Sequence, residues 1–247
     1  MKRIYLLLAG LTFFACTNQN NQEVNKGSAS NTEHSSSSGI SKSYDFTQFN
    51  ALDISSNMEI TLTQGAQYSV SLEADPKHLE DIKVELIDQE LHIRSQRKIN
   101  LNKSKVKVFI TAPEFRKIEL SGACVLEATN SISSQQPLAI EMSGATDVHL
   151  VLDVPRLKID ASGATQGRFK GKTEVLEIEG SGALELDAVE LEAKSVSVDI
   201  SGAGSAKVWA TTNLRVELSG AASLQYKGQP VNTHFDKSGI ASITAIP

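Results

Sequence analysis

Apolar and polar residues alternate along the chain from about residue 44 onward, the period expected of β-strands that bury one face. After residue 113 the alternation is interrupted every 18 to 22 residues by a Ser-Gly pair, followed by Ala in six cases and by Ile240 in the seventh. Glycine accepts the sharp backbone conformations that residues with a Cβ resist. Each repeat therefore predicts a strand, a tight corner, a second strand and a connector. The seven pairs are Ser121-Gly122, Ser143-Gly144, Ser162-Gly163, Ser181-Gly182, Ser201-Gly202, Ser219-Gly220 and Ser238-Gly239.

An acidic residue stands two positions before the serine of every repeat, although Asp and Glu make up only 29 of the 247 residues. Apolar residues flank most of these acids on both sides, which places each acid on the outward face of the first strand. If equivalent strands lie side by side, the acids form a row with a spacing of about 4.8 Å. The seven acids are Glu119, Glu141, Asp160, Glu179, Asp199, Glu217 and Asp236.

The repeats fit a coil better than a series of hairpins, because only one end of each strand pair carries a regular turn. We predict an all-β fold: a right-handed parallel β-helix, or solenoid, with rungs of about 20 residues. Residues 44–247 form a single domain in this prediction, with an irregular, strand-rich cap and the first rungs over 44–113 and regular rungs over 114–247. Within the cap, Asp88-Gln89 predicts a hairpin turn and residues 75–81 predict a loop with one helical turn.

The amino terminus has the features of a secretory signal over residues 1–15: a basic start followed by an apolar stretch too short to span a bilayer. Ala15 before Cys16 resembles the lipobox of bacterial lipoproteins, in which the signal is cut before a cysteine that then carries lipid. We therefore predict a lipidated Cys16. Residues 16–43 are rich in Asn, Gln, Ser and Gly, so beyond that cysteine they are predicted to be a disordered tether.

Composition removes several classes of function. The net charge of −5 leaves no basic surplus for a nucleic-acid backbone. The two cysteines cannot build a disulfide framework or a cysteine-based zinc site, and the five histidines show no ligand spacing, so we predict no cofactor and no metal centre. Aromatic residues make up only 5% of the chain. Trp209 is the best candidate for stacking on a ligand, with a place in the core as the alternative, and Cys124 is interpreted as a packing residue.

The acid row is the sharpest candidate for chemistry. Carboxylates are ligands of Ca²⁺, so weak cation binding is one interpretation. We favour the other, a solvated face partly neutralised by Lys117, Lys158 and Arg215 on the same strands. Paired catalytic carboxylates would break the repeat at one place, whereas these acids follow it, so we predict no enzymatic activity. A polysaccharide-active β-helix enzyme is the alternative.

The recurring acid-x-Ser-Gly-Ala units behind a lipoprotein signal resemble the head GIN domain of auto-transporter adhesins, over about residues 49–245. The resemblance implies a β-helix and an adhesive role in a Bacteroidota-like envelope, and the family defines no catalytic residues. We therefore expect a non-catalytic outer-membrane lipoprotein, on the periplasmic or the surface face, that binds a glycan or an envelope or host protein. A structural envelope protein that associates end to end with itself is a further alternative.

Overall fold

The computed structural model describes residues 29–30, 40–96 and 106–247. The predicted signal sequence and Cys16 lie outside the described residues, as does most of the predicted tether. The described part is all-β apart from one helical turn, α1 (Pro76–Leu79). Its strands are β1 (Ala29–Ser30), β2 (Ile40–Tyr44), β3 (Ala51–Ser56), β4 (Met58–Gln64), β5 (Ser69–Ala74), β6 (Ile82–Ile87), β7 (Glu90–Ser95), β8 (Val106–Ala112), β9 (Lys117–Gly122), β10 (Val125–Ala128), β11 (Ile132–Ser133), β12 (Leu138–Gly220), β13 (Ser223–Lys227), β14 (Asn232–Lys237) and β15 (Ser242–Ile246).

Equivalent strands of successive repeats pair in parallel, as the repeat predicts. Strand β9 pairs with the start of β12 so that Glu119 lies opposite Glu141. Strand β10 pairs with the next part of β12, and at the other end of the chain β14 pairs with residues 213–218 and β13 pairs with β15. The partners are one repeat apart in every case, so the sequence spacing sets the register.

Strand β12 is an extended run of 83 residues that passes through several corners. The glycine of each Ser-Gly pair has a positive φ, and from Gly144 onward each stacks on the glycine of the preceding repeat. A Cβ at Gly144 would lie 2.4 Å from the carbonyl oxygen of Gly122, and one at Gly163 would lie 2.6 Å from that of Gly144. We call the strands of one repeat a layer. Glycine is therefore required at the corner by its own backbone conformation and also by the close approach of the backbone of the preceding layer.

The connector is more ordered than predicted, because in the repeats spanned by β12 it forms a third extended segment. In β11, Ile132 pairs in parallel with Leu152. Leu152 and Val154 are buried, and so are Leu191 and Ala193 two repeats later. The alternation of buried and exposed residues thus continues through the connector. It is hard to recognise in the sequence because the polar residues there differ from repeat to repeat.

The region before residue 113 pairs with the regular repeats. Strand β3 pairs in parallel with β9, placing Ser56 opposite Gly122, and β4 pairs in parallel with β10. The predicted hairpin turn is present between the antiparallel strands β6 and β7, with φ of 48° at Asp88 and 66° at Gln89. The predicted helical turn is α1, whose first turn is capped by the Asp75 carboxylate accepting from the Lys77 N–H.

Strand β2 begins within the segment predicted to be the tether. Residues 40–43 belong to β2, which pairs antiparallel with β5 through Lys42 opposite Leu72. Ala29 and Ser30 also pair with the end of β2. The polar composition of this segment concealed it because an edge strand can be ordered by backbone hydrogen bonds with few buried side chains. Within the part of the chain that the structure describes, no helix has the length and apolarity needed to cross a membrane.

Ser56 occupies the glycine position of its layer with a φ of 135°, a region that costs a residue with a Cβ about 1–3 kcal/mol. Ser56→Gly is therefore expected to raise the free energy of unfolding by about 1 kcal/mol, after the entropy that glycine adds to the unfolded chain. Urea unfolding measures the change. The matched control is Ser55→Gly, where φ is ordinary and the same substitution should lower stability. Equal effects at both positions would contradict this account.

Candidate functional site

The repeated acids lie on one outward face because each is flanked by inward apolar residues. In β9, Ile118 and Leu120 are fully buried on either side of the half-exposed Glu119. The same alternation recurs one repeat later, where Ile140 and Met142 are buried on either side of Glu141. Parallel pairing then places the acids side by side, and we call this surface the acidic face.

Five of the seven acids meet in one open groove with a cavity volume of about 440 Å³. Serines of the repeat corners complete its polar lining. Glu217 and Asp236 do not line the groove; they lie opposite each other on β12 and β14, farther along the same face. The groove acids are Glu119, Glu141, Asp160, Glu179 and Asp199, and the corner serines are Ser143, Ser162, Ser181 and Ser201.

Lys117 neutralises one end of the acidic face. Its Nζ donates to the Glu119 carboxylate at 2.8 Å and lies 3.6 Å from the carboxylates of both Glu90 and Glu141. The hydrogen bond to Glu119 raises the pKa of the Lys117 ammonium well above its usual range. One ammonium therefore serves three carboxylates from neighbouring strands.

Lys158 and Arg215 repeat this arrangement farther along. The Lys158 Nζ lies 3.3 Å from Asp160 and 3.4 Å from Glu179, and Arg215 pairs with Glu217. Hydrogen bonding to Asp160 raises the pKa of the Lys158 ammonium. No ion pair joins Asp199 to a cation among the described residues. The predicted partial neutralisation is thus present, and it leaves the end of the groove at Asp199 with an excess of negative charge.

The acidic face extends past the predicted row, through residues that sequence reasoning missed. Asp53 lies opposite Glu119 on β3, and His92 lies opposite Asp53 on β7. The His92 Nδ1 is 3.1 Å from the Asp53 carboxylate, and Arg94 also pairs with Asp53. The sequence does contain an imperfect copy of the acid-x-Ser-Gly motif here. Asp53 stands two positions before Ser55, as in the other repeats, but Ser56 replaces the glycine.

The geometry of the acidic face does not assemble a metal centre. Successive acids belong to different layers, so each strand contributes one carboxylate to the row. No cluster of three or more His, Cys, Asp or Glu residues suited to a metal ion occurs in the described ranges. What the row offers is a series of hydrogen-bond acceptors and negative charges at the strand spacing.

Trp209 lies outside the acidic face, on the second strand of its repeat. Its ring is half-buried, and the Lys227 Nζ sits 4.1 Å from the ring centroid. A cation–π contact of this kind contributes about 0.5–1 kcal/mol at an exposed site. One ring face is therefore occupied by a residue of the next layer, which leaves less of the indole open to a ligand.

Cys124 is fully buried behind the first Ser-Gly corner. Its Sγ lies 3.5 Å from the carbonyl oxygens of Ser56 and Ser121. Burial raises the pKa of the thiol from 9.0 to about 11. A buried, protonated thiol is a weak nucleophile, which agrees with the packing role predicted for it.

This thiol should make the fold sensitive to alkali. The thiol is buried in its protonated form, so its folded-state pKa is raised. The free energy of unfolding is therefore highest below about pH 9, and it falls as the pH rises toward about 11. We expect Cys124 to cost the fold about 2 kcal/mol across that window. Urea unfolding at pH 8 and pH 11 measures it, with Cys124→Ala as the control for lysine and tyrosine titration. The same pH dependence in both proteins would contradict the prediction.

Comparison with known proteins gives the context of this surface. The solved structure of a putative adhesin from Bacteroides fragilis matches with a TM-score of 0.79 at 23% identity, covering 85% of this chain and 98% of that one. A putative adhesin from Parabacteroides merdae has a TM-score of 0.58 at 17% identity, with 85% and 97% covered. A putative lipid binding protein from Parabacteroides distasonis has a TM-score of 0.57 at 14% identity, with 85% and 98% covered. At these identities the likeness shows a shared fold.

No curated protein matches the sequence. A family profile does, and it spans most of the repeat region: residues 48–230 match the family described as "Putative auto-transporter adhesin, head GIN domain". The match begins at the layer of Asp53 and Ser56 and runs through all the corners up to Ser219-Gly220. The chain belongs to the head GIN domain family of auto-transporter adhesins.

Proposed function

We propose that this chain is a non-catalytic adhesin-like protein of the cell envelope, which holds a partner on its acidic face. The observation that carries the proposal is the groove, in which five carboxylates and four serine side chains from successive layers share one surface. Membership of an adhesin family and a fold shared with proteins described as adhesins support it.

The proposed scaffold is a right-handed parallel β-helix over residues 44–247, entered through the strands before residue 113. Parallel pairing at a one-repeat offset and the stacked corner glycines support this architecture. Right-handed crossovers are the rule for parallel strands. The scaffold makes the spacing of the groove rigid, because each carboxylate is attached to a strand that both neighbours hold in register.

The proposed anchor is a lipidated Cys16 after removal of residues 1–15, with the segment from Cys16 onward as the tether. An acyl chain adds about 0.8 kcal/mol for each buried CH₂, and more than one chain makes the anchor stable. In this proposal the anchor holds the protein on the periplasmic or the surface face of the outer membrane.

The chemistry of the groove suits a partner rich in hydrogen-bond donors. Carboxylates accept hydrogen bonds from sugar hydroxyls and pair with Lys and Arg side chains. A glycan offers the hydroxyl donors, and the basic surface of an envelope or host protein offers the Lys and Arg side chains. Negative charge favours the approach of a basic partner in a salt-dependent manner.

The test combines two measurements: which face of the outer membrane carries the domain, and how substitution of the groove acids changes adhesion. Intact cells carrying an epitope after Pro247 are treated with protease and assayed for adhesion to glycans and matrix proteins. The triple variant Glu141→Gln, Asp160→Asn and Glu179→Gln should reduce adhesion at least tenfold. The control is Glu73→Gln, Glu80→Gln and Glu185→Gln, which removes the same charge at exposed positions outside the groove.

Three outcomes decide the proposal. Loss of the epitope together with loss of adhesion only in the groove variant supports a surface adhesin. An epitope protected until the outer membrane is opened discards adhesion to host molecules and directs the search to periplasmic partners. Depolymerisation of a glycan by the purified protein favours the alternative of a polysaccharide-active enzyme. Self-association is a separate proposal, because it uses the free edges of β14 and β15 rather than the groove.

A further inference from the structure

The layer formed by β14 and β15 is the apolar end of the described structure. Within the described residues, β14 pairs only with β12 and β15 only with β13, so each strand has one unpaired edge. Val231 is 82% exposed and Ile240 87% exposed beside this layer, and Phe235 in β14 is 41% exposed. An unpaired edge beside exposed apolar side chains is a surface on which another strand can pair.

We propose that a second copy of the chain covers this layer, with the two copies related by a two-fold axis through β14 and β15. The two β14 strands then pair antiparallel, centred on Phe235. Two identical edges can pair with each other only in the antiparallel sense, which is the relation that a two-fold axis produces. This surface lies outside the groove proposed to hold a partner, although Asp236 of the acidic face belongs to it.

The direction of the backbone groups supports this register. The Ser238 N–H points inward to the Leu218 carbonyl oxygen. Backbone groups of successive residues in a strand point to opposite edges. Thr233, Phe235 and Lys237 therefore direct their N–H and C=O groups to the free edge. An antiparallel pair centred on Phe235 matches each of these groups with a partner, Phe235 with the partner's Phe235 and Thr233 with the partner's Lys237.

The outward charges support the same register. Within the chain, His234 lies opposite Arg215 and Asp236 lies opposite Glu217, so neither finds a complementary neighbour across the strand pair. Across the proposed axis, His234 faces the partner's Asp236 at a non-hydrogen-bonded position, where side chains come closest. The imidazole N–H can donate to that carboxylate, twice in the symmetric pair.

Strand β15 fits the same axis on the opposite side of the layer. The Ser242 N–H points to the Ala222 carbonyl oxygen, so Ile243 and Ala245 direct their backbone groups to the free edge. A pair centred on Thr244 places Ile243 opposite the partner's Ala245. Ile243 already packs against the core, so this pair would extend the core across the axis.

The alternative of head-to-tail stacking fits the structure less well. At the opposite end of the sheet, β6 runs antiparallel to β7, and β1 and β2 run antiparallel to their neighbours β2 and β5. A parallel stack continued into the next copy would be interrupted there. The closed two-fold pair uses the same layer on both copies and leaves the opposite end free.

Sedimentation equilibrium tests the proposal on the full chain carrying Cys16→Ser, so that lipid does not drive association. We expect a monomer–dimer equilibrium. His234→Asp places two carboxylates opposite each other at both symmetric positions, and it should weaken the dimer at least tenfold. The exchange His234→Asp with Asp236→Lys restores opposite charges and should recover the dimer. Thr212→Asp, which adds a charge at an exposed position outside this layer, should leave the dimer unchanged.

His234 and Asp236 are exposed, so these variants should keep the wild-type circular dichroism spectrum, which serves as the check on folding. A dimer lost in the single variant and recovered in the exchange supports the register. A wild-type monomer at every concentration would overturn the proposal. A dimer that His234→Asp does not weaken, or an exchange variant that stays monomeric, would overturn it as well.

Discussion

Gly182→Ala is expected to lower the free energy of unfolding by about 4 kcal/mol, enough to unfold a marginal protein. Gly182 has a φ of 94°, which costs an alanine about 1–3 kcal/mol. Its Cβ would also lie 2.6 Å from the carbonyl oxygen and 3.0 Å from the amide nitrogen of Gly163. Both atoms belong to the backbone of the neighbouring layer, so the contact cannot be relieved by rotating a side chain.

Urea unfolding followed by circular dichroism measures this effect. Gly65→Ala is the matched control, because Gly65 has no positive φ and its Cβ would meet only the Thr111 methyl group, at 3.1 Å. The control should cost less than about 1 kcal/mol. If Gly182→Ala and Gly65→Ala were equally stable, the close approach of the corner glycines would not hold the layers in place.

The repeat made most of this architecture predictable. Serine, glycine and the preceding acid recur at a nearly constant interval, and together they supply a corner, a close approach between layers and an outward charge. A pattern that repeats seven times also fixes the register, because a slip of one residue would move the acids to the buried face. The acidic face followed from the sequence for the same reason.

The parts that escaped prediction are those where the pattern degenerates. Ser56 stands where glycine is expected, so the Ser-Gly pattern does not extend to the strand that carries Asp53. His92 and Arg94 reach the acidic face through strand β7, whose order in the sheet differs from its order in the chain. Neither contact has a local signal, since both depend on which strand of the cap lies beside β3.

Polar ladders also escaped prediction because they need the register before they can be seen. The Asn232 amide donates to the Asn213 side-chain oxygen at 2.9 Å, and the Asn213 amide donates to the Ser195 hydroxyl at 2.8 Å. Each residue stands six positions before the serine of its own repeat. The stacked side chains of successive layers hydrogen-bond to one another. Polar residues that the sequence shows only as part of a variable connector therefore stabilise the pairing of the layers.

One layer departs from the apolar pattern and shows how the core fills its volume. Five positions after each serine the chain carries Leu, Val, Ile or Ala, except at Gly167. Phe169, two residues later and fully buried, occupies that space: a Cβ at Gly167 would lie 2.7 Å from the Phe169 ring and 2.9 Å from a Leu186 methyl group. The large Phe169 side chain thus fills the volume that a side chain at Gly167 would otherwise occupy in the same layer.

This compensation predicts strong coupling between the two positions. Phe169→Ala should cost about 3–5 kcal/mol because it leaves a cavity. Gly167→Leu should cost about 1–3 kcal/mol because the leucine collides with the Phe169 ring. Together the two substitutions recreate the Leu and Ala of the next layer, Leu186 and Ala188, so the leucine fills the volume that the ring vacates.

The double variant is therefore expected to be at least about 2 kcal/mol more stable than the sum of the single effects implies. A double-mutant cycle by urea unfolding measures this coupling energy. The control cycle pairs Gly167→Leu with Phe115→Ala, a fully buried phenylalanine that makes no close contact with a Cβ at Gly167. Additive effects in the control and non-additive effects at Phe169 would show that each layer conserves its own core volume. Additive effects in both cycles would contradict this, because they would show that the leucine at position 167 does not fill the volume left by Phe169.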